Sequence, residues 1–219
     1  MSKRTIDKKM SASDKDGLIP DLSWPPGTHP IHQAHLWTPE PLYEWQREGL
    51  VAAARPHSRA IISAPNESGK TGVMIPVFGF SCMARFPGCS VYSTSKSDRQ
   101  VKLQLFAKHL VPMATKLKRF GWTVNKSDLI ITAPNGSTWM CYVCSDADNV
   151  EGFHGKWIFD GENGKPVYKP LIYTIDEAKG VRDDIEQGVR RIDPDFELVV
   201  STPGKAQGFF FDAFEDIAF

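Results

Sequence analysis

Ser63-Ala64-Pro65-Asn66-Glu67-Ser68-Gly69-Lys70-Thr71 is the stretch on which the fold turns. It follows Ala60-Ile61-Ile62, an apolar run of strand character, and precedes Thr71 to Arg85, where Val73, Met74, Val77, Phe78 and Met83 fit a buried helix despite Pro76 and Gly79. Strand, loop and helix in that order are the setting of a phosphate-binding loop, whose pattern is G-x-x-x-x-G-K-S/T. Ala64 stands at the first glycine, so the match is A-x-x-x-x-G-K-T. The physics survives the change. Gly69 permits a tight turn, successive N–H groups face an anion at a helix N-terminus, Lys70 brings a point charge, and the Thr71 hydroxyl suits Mg²⁺. Ala64, Pro65, Asn66, Glu67, Ser68, Gly69, Lys70 and Thr71 are therefore the candidate nucleotide-binding loop, although a Gly-Lys-Thr triplet in a loop also arises by chance.

The partner of that loop is expected about a hundred residues on, at the end of a second buried strand. Lys169-Pro170-Leu171-Ile172-Tyr173-Thr174-Ile175 is an apolar run that stops abruptly on Asp176-Glu177. A parallel strand delivers polar groups from its C-terminal edge, where α/β sheets place ligand chemistry. Two adjacent carboxylates divide the work: Asp176 supports Mg²⁺ beside Thr71, and Glu177 points at a water attacking the γ-phosphate. Alone, Asp-Glu after a strand also reads as the acidic first turn of a helix; joined to the upstream loop it reads as catalytic. Phe196-Glu197-Leu198-Val199-Val200 is a third such run, ending on Ser201-Thr202-Pro203. That end is either a plain turn or a strand terminus that senses the γ-phosphate.

Between these lie a strand at Gly88 to Thr94, a long helix from Lys96 to about Phe120, and two β-rich runs, 128–132 and 137–142, joined by Asn135-Gly136, a hairpin signal. The helix carries Lys96, Arg99, Lys102, Lys108, Lys116, Lys118 and Arg119, either a solvated face or a source of phosphate-contacting and catalytic arginine. Trp157 to Lys169, rich in glycine and charge, reads as a surface excursion. Upstream, Thr38 is a candidate N-cap for a helix through Leu42, Trp45 and Leu50. Gln46 on it either reads an adenine edge with its amide or is a solvated polar residue. Residues 1–38 show no regular period and read as a tail and a proline-rich arm anchored by Trp24 and Trp37, ahead of one α/β domain over 39–219. The aromatic-rich C-terminus from Gly208 predicts a helix packed on the sheet, or a cut within a longer chain.

Composition bounds the rest. With 219 residues, 41% hydrophobic and 24% charged, the chain has the profile of an ordinary globular domain, without a membrane-length apolar run or a signal peptide, so an intracellular protein is expected. Lys plus Arg equals Asp plus Glu at 26 each, so nucleic acid would be met by a local patch and not by a global field. Cys141 and Cys144 form C-x-x-C, which reads as metal or redox chemistry, or with Cys82 and Cys89 as small buried hydrophobes.

Taken together, Gln46, the loop Ala64 to Thr71, Gly152-Phe153-His154, Ile175-Asp176-Glu177-Ala178-Lys179-Gly180-Val181 and Val199-Val200-Ser201-Thr202-Pro203 resemble the ATPase domain of tailed-phage terminase large subunits, over about residues 40–210. The resemblance implies a RecA-like P-loop fold of the added-glutamate type, with a central, mostly parallel sheet flanked by helices. It implies ATP and Mg²⁺ as cofactors, with Lys70 and Thr71 on the phosphates and metal, Asp176 on the metal, Glu177 activating water, Gln46 on adenine, and Ser201, Thr202 and Pro203 coupling hydrolysis to movement. As partners it implies double-stranded DNA, portal protein, procapsid and small terminase subunit. The subunits would be monomeric alone and ringed, usually in fives, when assembled in the cytoplasm of an infected host. Two departures stand out. Asn66 and Glu67 occupy a place where many relatives carry a basic residue, so the arginine finger must come from elsewhere, with Arg99 the first choice, acting across a subunit boundary. The chain also stops before the nuclease domain such subunits usually carry. The rival readings are another ATP-driven translocase or helicase, and a nucleotide-gated assembly module with little turnover.

Overall fold

The structure, a computed structural model, describes residues 8–9, 18–142, 154–159, 164–204 and 207–215. Strand β1 (Lys8–Lys9) is followed by α1 (Pro30–Trp37) and α2 (Glu44–Ala53). Helix α1 corrects the expectation of an arm without regular structure. Pro30 occupies its first turn, the Ile31 N–H donates to His29 Nδ1 at 3.3 Å, and only Pro30 and Ala34 are buried, too sparse a stripe to register as a period. Thr38 closes α1, donating its N–H to Ala34 O, and does not open α2. Pro39 and Pro41 keep the next residues extended, so α2 starts at Glu44 behind Tyr43, whose N–H donates to Gln46 Oε1 at 3.0 Å. The arm is anchored as expected by two tryptophans. Trp24 donates to Ala54 O at 2.8 Å and meets Phe86 edge-on, and Trp37 donates to Ser81 Oγ at 3.1 Å and stacks on Phe80.

Strand β2 (Ser58–Ser63) leads through the glycine-bearing loop into a wide helical turn (Lys70–Met74) and α3 (Ile75–Arg85). The wide turn has an i→i+5 bond, Met74 N–H to Gly69 O at 3.0 Å. Next come β3 (Ser90–Ser95), a helical segment Gln100–Leu110 that passes into α4 (Val111–Lys116), and the short strands β4 (Thr123–Asn125), β5 (Ile130–Thr132) and β6 (Thr138–Cys141). The chain continues through β7 (Lys156–Phe159), β8 (Pro166–Lys169), β9 (Leu171–Asp176), α5 (Asp183–Ile192), β10 (Phe196–Ser201) and α6 (Phe209–Glu215). Within the expected surface excursion, residues 157–159 and 166–169 are strand. Strands β7 and β8 pair antiparallel, and β1 joins β7 to make a small second sheet.

The main sheet runs β2-β10-β9-β3-β6-β5-β4, parallel from β2 to β6 and antiparallel beyond, where the Asn135-Gly136 turn sits with Gly136 at φ +83°. Every residue of β9 and β10 is buried, as expected of parallel strands covered on both faces. One face packs on α3, which is buried from Ile75 to Met83. The other packs on α5 and on Phe209 and Phe210 of α6, the helix anticipated at the C-terminus.

Gly79 lets α3 approach the sheet: a Cβ there would lie 2.2 Å from Trp139 Cη2 and 2.4 Å from Cζ3. Trp139 is fully buried and donates to Ser93 Oγ at 2.7 Å, so moving its ring aside strains that bond and the packing around it. Alanine normally gains about 1 kcal/mol over glycine inside a helix, but overpacking outweighs that gain. Gly79→Ala is expected to destabilise the domain by about 2 kcal/mol net in urea titration.

A charge cluster with two buried glutamates fastens β2, β10 and α5. Arg59 Nη1 contacts Glu186 Oε1 at 2.6 Å and Arg59 Nε contacts Glu197 Oε1 at 3.2 Å, while Arg190 also reaches Glu186. Burial pushes the Glu197 carboxyl from 4.5 up to about 7, with Glu186 adding to the rise and Arg59 opposing it. The folded chain thus holds a proton that the unfolded chain has released between those two values, so this group's contribution to stability falls as pH rises through that window. Glu197→Gln removes the titration. Its stability relative to the wild-type protein is expected to improve from pH 5 to pH 7, by at most about 1.4 kcal/mol per pH unit, in urea titrations across pH.

Candidate functional site

Four parallel strands end on one line. Ser63 of β2 pairs with Ser201 of β10, while Asp176 of β9 pairs with Val200 on one side and Ser95 of β3 on the other. The segments leaving these ends enclose a cleft of roughly 770 Å³, a size suited to a small molecule. Gly69, Lys70 and Thr71 line it from one side, Asp176 and Glu177 from another, and Lys96 and Arg99 from a third. The loop after β2 and the acids after β9, about a hundred positions apart in sequence, therefore share one cavity.

Lys70 is buried, and its ammonium donates to Ala64 O at 2.7 Å and to Pro65 O, with Ser68 Oγ at 3.5 Å. Burial pulls this amine below its ordinary value, and the carboxylates of Glu177 and Asp176 push it back up. Ala64, Pro65 and Ser68 thus form the back of the loop. Gly69 has φ +89°, and a Cβ there would sit 2.7 Å from Gln46 Nε2, so both conformation and space require glycine. Asn66 and Glu67 are exposed at the mouth, Glu67 in a left-handed conformation with φ 58°.

Thr71 Oγ1 donates to Asp176 Oδ1 at 2.8 Å across a separation of 105 residues. Asp176 is 2% exposed; burial lifts its carboxyl to about 6, Glu177 adds to the rise, and the Thr71 hydrogen bond opposes it. Above that pH a buried anionic oxygen faces the cleft beside a hydroxyl. These hard oxygen donors suit a small divalent cation that keeps most of its shell from water and phosphate. Among the described residues no three His, Cys, Asp or Glu side chains converge as an all-protein metal cage. Glu177 is half-buried in a left-handed conformation (φ 51°, ψ 45°), which is costly for a residue with a Cβ.

Gln46 reaches the loop but turns its amide to protein partners: Oε1 accepts from Tyr43 N–H, and Nε2 donates to Ser68 O at 2.9 Å. At 2% exposed it is not a solvated polar residue, and its second Nε2 hydrogen meets a base only if the side chain is uncovered. The basic helix divides. Lys96, Arg99 and Lys108 line the cleft, whereas Lys102 pairs outside it with Asp98 at 2.9 Å. Ser201 joins both halves of the site, its carbonyl accepting from Ala64 N–H at 3.0 Å and its hydroxyl from Lys179 N–H at 3.2 Å. The Lys179 ammonium donates to Thr202 Oγ1 and to Pro203 O at 3.3 Å.

Two contributors carry no mark in the sequence. Lys179 lies in the Asp-Glu-Ala-Lys run without a role that spacing alone assigns, and His109 packs on Gly72, where a Cβ would be 2.8 Å from the imidazole Cε1. Cys82, Cys89 and Cys141 are buried free thiols, Cys89 pushed up to about 12 by burial and the other two also raised. Cys144, Gly152 and Phe153 lie outside the described residues, and His154 is exposed. Among the described residues no helix is long and apolar enough to cross a membrane.

No family model matches the sequence, and no curated protein does. Solved structures do. The large terminase of bacteriophage HK97 aligns at TM-score 0.61 and 16% identity, over 89% of this chain and 41% of that one. The large-terminase ATPase domain of Thermus phage P74-26 aligns at TM-score 0.58 and 18% identity, over 82% and 71%. A large terminase from a thermophilic bacteriophage, solved in complex with ADP, aligns at TM-score 0.55 and 18% identity, over 81% and 43%. The chain thus spans less than half the length of the HK97 protein and of the ADP complex's chain, and at these identities the likeness is one of fold, the RecA-like P-loop fold.

Proposed function

We propose that this chain, folded like the ATPase domains of phage large terminases, is an Mg²⁺-dependent ATPase that drives double-stranded DNA into a procapsid. The observation that carries the reading is the Thr71–Asp176 hydrogen bond, which joins the glycine loop to the acidic strand end with Lys70 and Glu177 in the same cleft. Bound Mg²⁺ would neutralise phosphate charge and orient the triphosphate. Thr71 and Asp176 are the residues that would hold it. Lys70 exchanges its carbonyl partners for phosphate oxygens, the loop N–H groups bind the same anion, and Glu177 takes the proton of the attacking water. Arg99, exposed on the cleft rim, supplies positive charge to the transition state, in its own cleft or in a neighbour's. Gln46 meets the adenine if its side chain is uncovered, and Ser201, Thr202 and Pro203 pass the state of the cleft to the DNA-handling surface.

The assembled form is a ring, of five subunits in this reading, working with portal protein and small terminase subunit in the host cytoplasm. Phosphate release from ATP, measured with Mg²⁺, with EDTA, and after Mg²⁺ is restored, tests the enzymatic part. Hydrolysis is expected only with the metal, and its absence under all three conditions overturns the reading. Protection of DNA from nuclease in the presence of portal and procapsid tests the motor part.

A further inference from the structure

Residue Glu177 must hold its carboxylate toward the cleft from a left-handed backbone, a conformation that the strand before it does not impose. Something outside the turn has to fix it. Within the turn, Gly180 N–H donates to Glu177 O at 3.0 Å and Val181 N–H to Ala178 O at 2.9 Å, which close the loop but do not orient it against the sheet. Ala178 and Val181 pack into the core beneath the sheet, but among the described residues the hydrogen bonds that tie the turn to the end of β10 come from one residue. Lys179 gives its backbone N–H to Ser201 Oγ and its ammonium to Thr202 Oγ1 and Pro203 O. Its stem packs where Gly204 leaves room: a Cβ on Gly204 would lie 2.9 Å from Lys179 Cδ and 3.0 Å from its Cβ. Ser201 in turn accepts the N–H of Ala64, the first residue of the glycine loop.

We infer that Lys179 is a positioning residue, a three-bond bracket that registers the Glu177 turn against the end of β10 and, through Ser201, against the glycine loop. It touches neither the phosphates nor the attacking water. Lys179 does not line the cleft that Lys70 occupies, and its ammonium is held on Thr202 and Pro203. The inference rests on the ATPase reading for its kinetic consequence but not for its structural one. Without the ammonium the turn keeps its internal bonds and the backbone bond to Ser201 but loses the two side-chain bonds, so Glu177 samples positions from which it cannot reach the water.

Lys179→Met keeps the aliphatic stem and removes the charge. In the nucleotide-free protein, the backbone N–H of Lys179 is expected to exchange with deuterium at least about tenfold faster, while the strand amides of β10 exchange as before. In the turnover assay kcat is expected to fall by about 30-fold or more with KM for ATP within about threefold, the pattern of a misplaced reacting group and not of a lost binding contact. Thr202→Val, which removes one of the two ammonium acceptors, should produce both changes in part, and the double variant should be no worse than Lys179→Met alone. Lys179→Arg, which preserves a donor, should recover part of kcat. Unchanged exchange at Lys179 in both variants overturns the inference, as does a loss carried by KM alone. If the unmodified chain hydrolyses nothing yet exchange accelerates as expected, the ATPase reading fails and the bracket stands.

Discussion

Glu177→Gln is expected to lower ATP turnover by about 10³-fold while leaving nucleotide affinity within about threefold of the unaltered protein. Glutamine has the shape of the glutamate and keeps the half-buried, left-handed turn in place, but it cannot accept a proton from water. In the proposed reading, binding depends on groups that the change does not touch: the loop N–H groups, the Lys70 ammonium, and the Thr71 and Asp176 oxygens. Removing a negative charge near Lys70 also relieves some repulsion toward a triphosphate, so a slight tightening fits the same account. Equilibrium titration with a fluorescent ATP analogue and single-turnover hydrolysis separate the two quantities. Turnover within about threefold of the unaltered protein would remove Glu177 from the role of base.

Lys70→Ala is expected to weaken ATP binding by about 100-fold, with turnover lost at any accessible concentration. This amine is the only side-chain cation buried within the loop; Lys96 and Arg99 stand across the cleft and are exposed. Its present partners are carbonyls of Ala64 and Pro65, groups that can return to water when a phosphate replaces them, so it is held ready without being consumed by an ion pair. The fold should survive the change, because the loop is also pinned from outside by Ala64 N–H on Ser201 and by Gln46 on Ser68. A melting temperature close to that of the unaltered chain, together with lost nucleotide binding by calorimetry, is the expected pair of results. Retained affinity would mean that the loop does not bind triphosphate in the way its geometry suggests.

The architecture was most legible where burial is most complete. Strands β9 and β10 are covered on both faces and read as unbroken apolar runs, and the polar pairs at their C-terminal ends, Asp176-Glu177 and Ser201-Thr202, mark the sheet edge at which ligand chemistry is placed. Half-covered elements were harder to see. Helix α1 buries two residues of eight, and β7 and β8 are four-residue strands in a stretch whose charge and glycine content resembles a loop. Gln46 stands out in the sequence only as an amide on the helix ahead of the glycine loop; its bond to Ser68 belongs to tertiary structure and leaves no local trace. The same holds for Lys179, whose acceptors lie more than twenty positions further on.

Strand β10 is laddered on both flanks, opposite β2 at six positions and β9 at five. Sliding by a single residue would turn its whole buried set of side chains to the wrong face, on both seams at once. Among the described strands it is, with β9, the hardest to displace, and in the proposed motor a rearrangement would begin where the ladder stops, at Thr202 and Pro203. In that reading the stiff strand and the segment that would flex are neighbours in sequence.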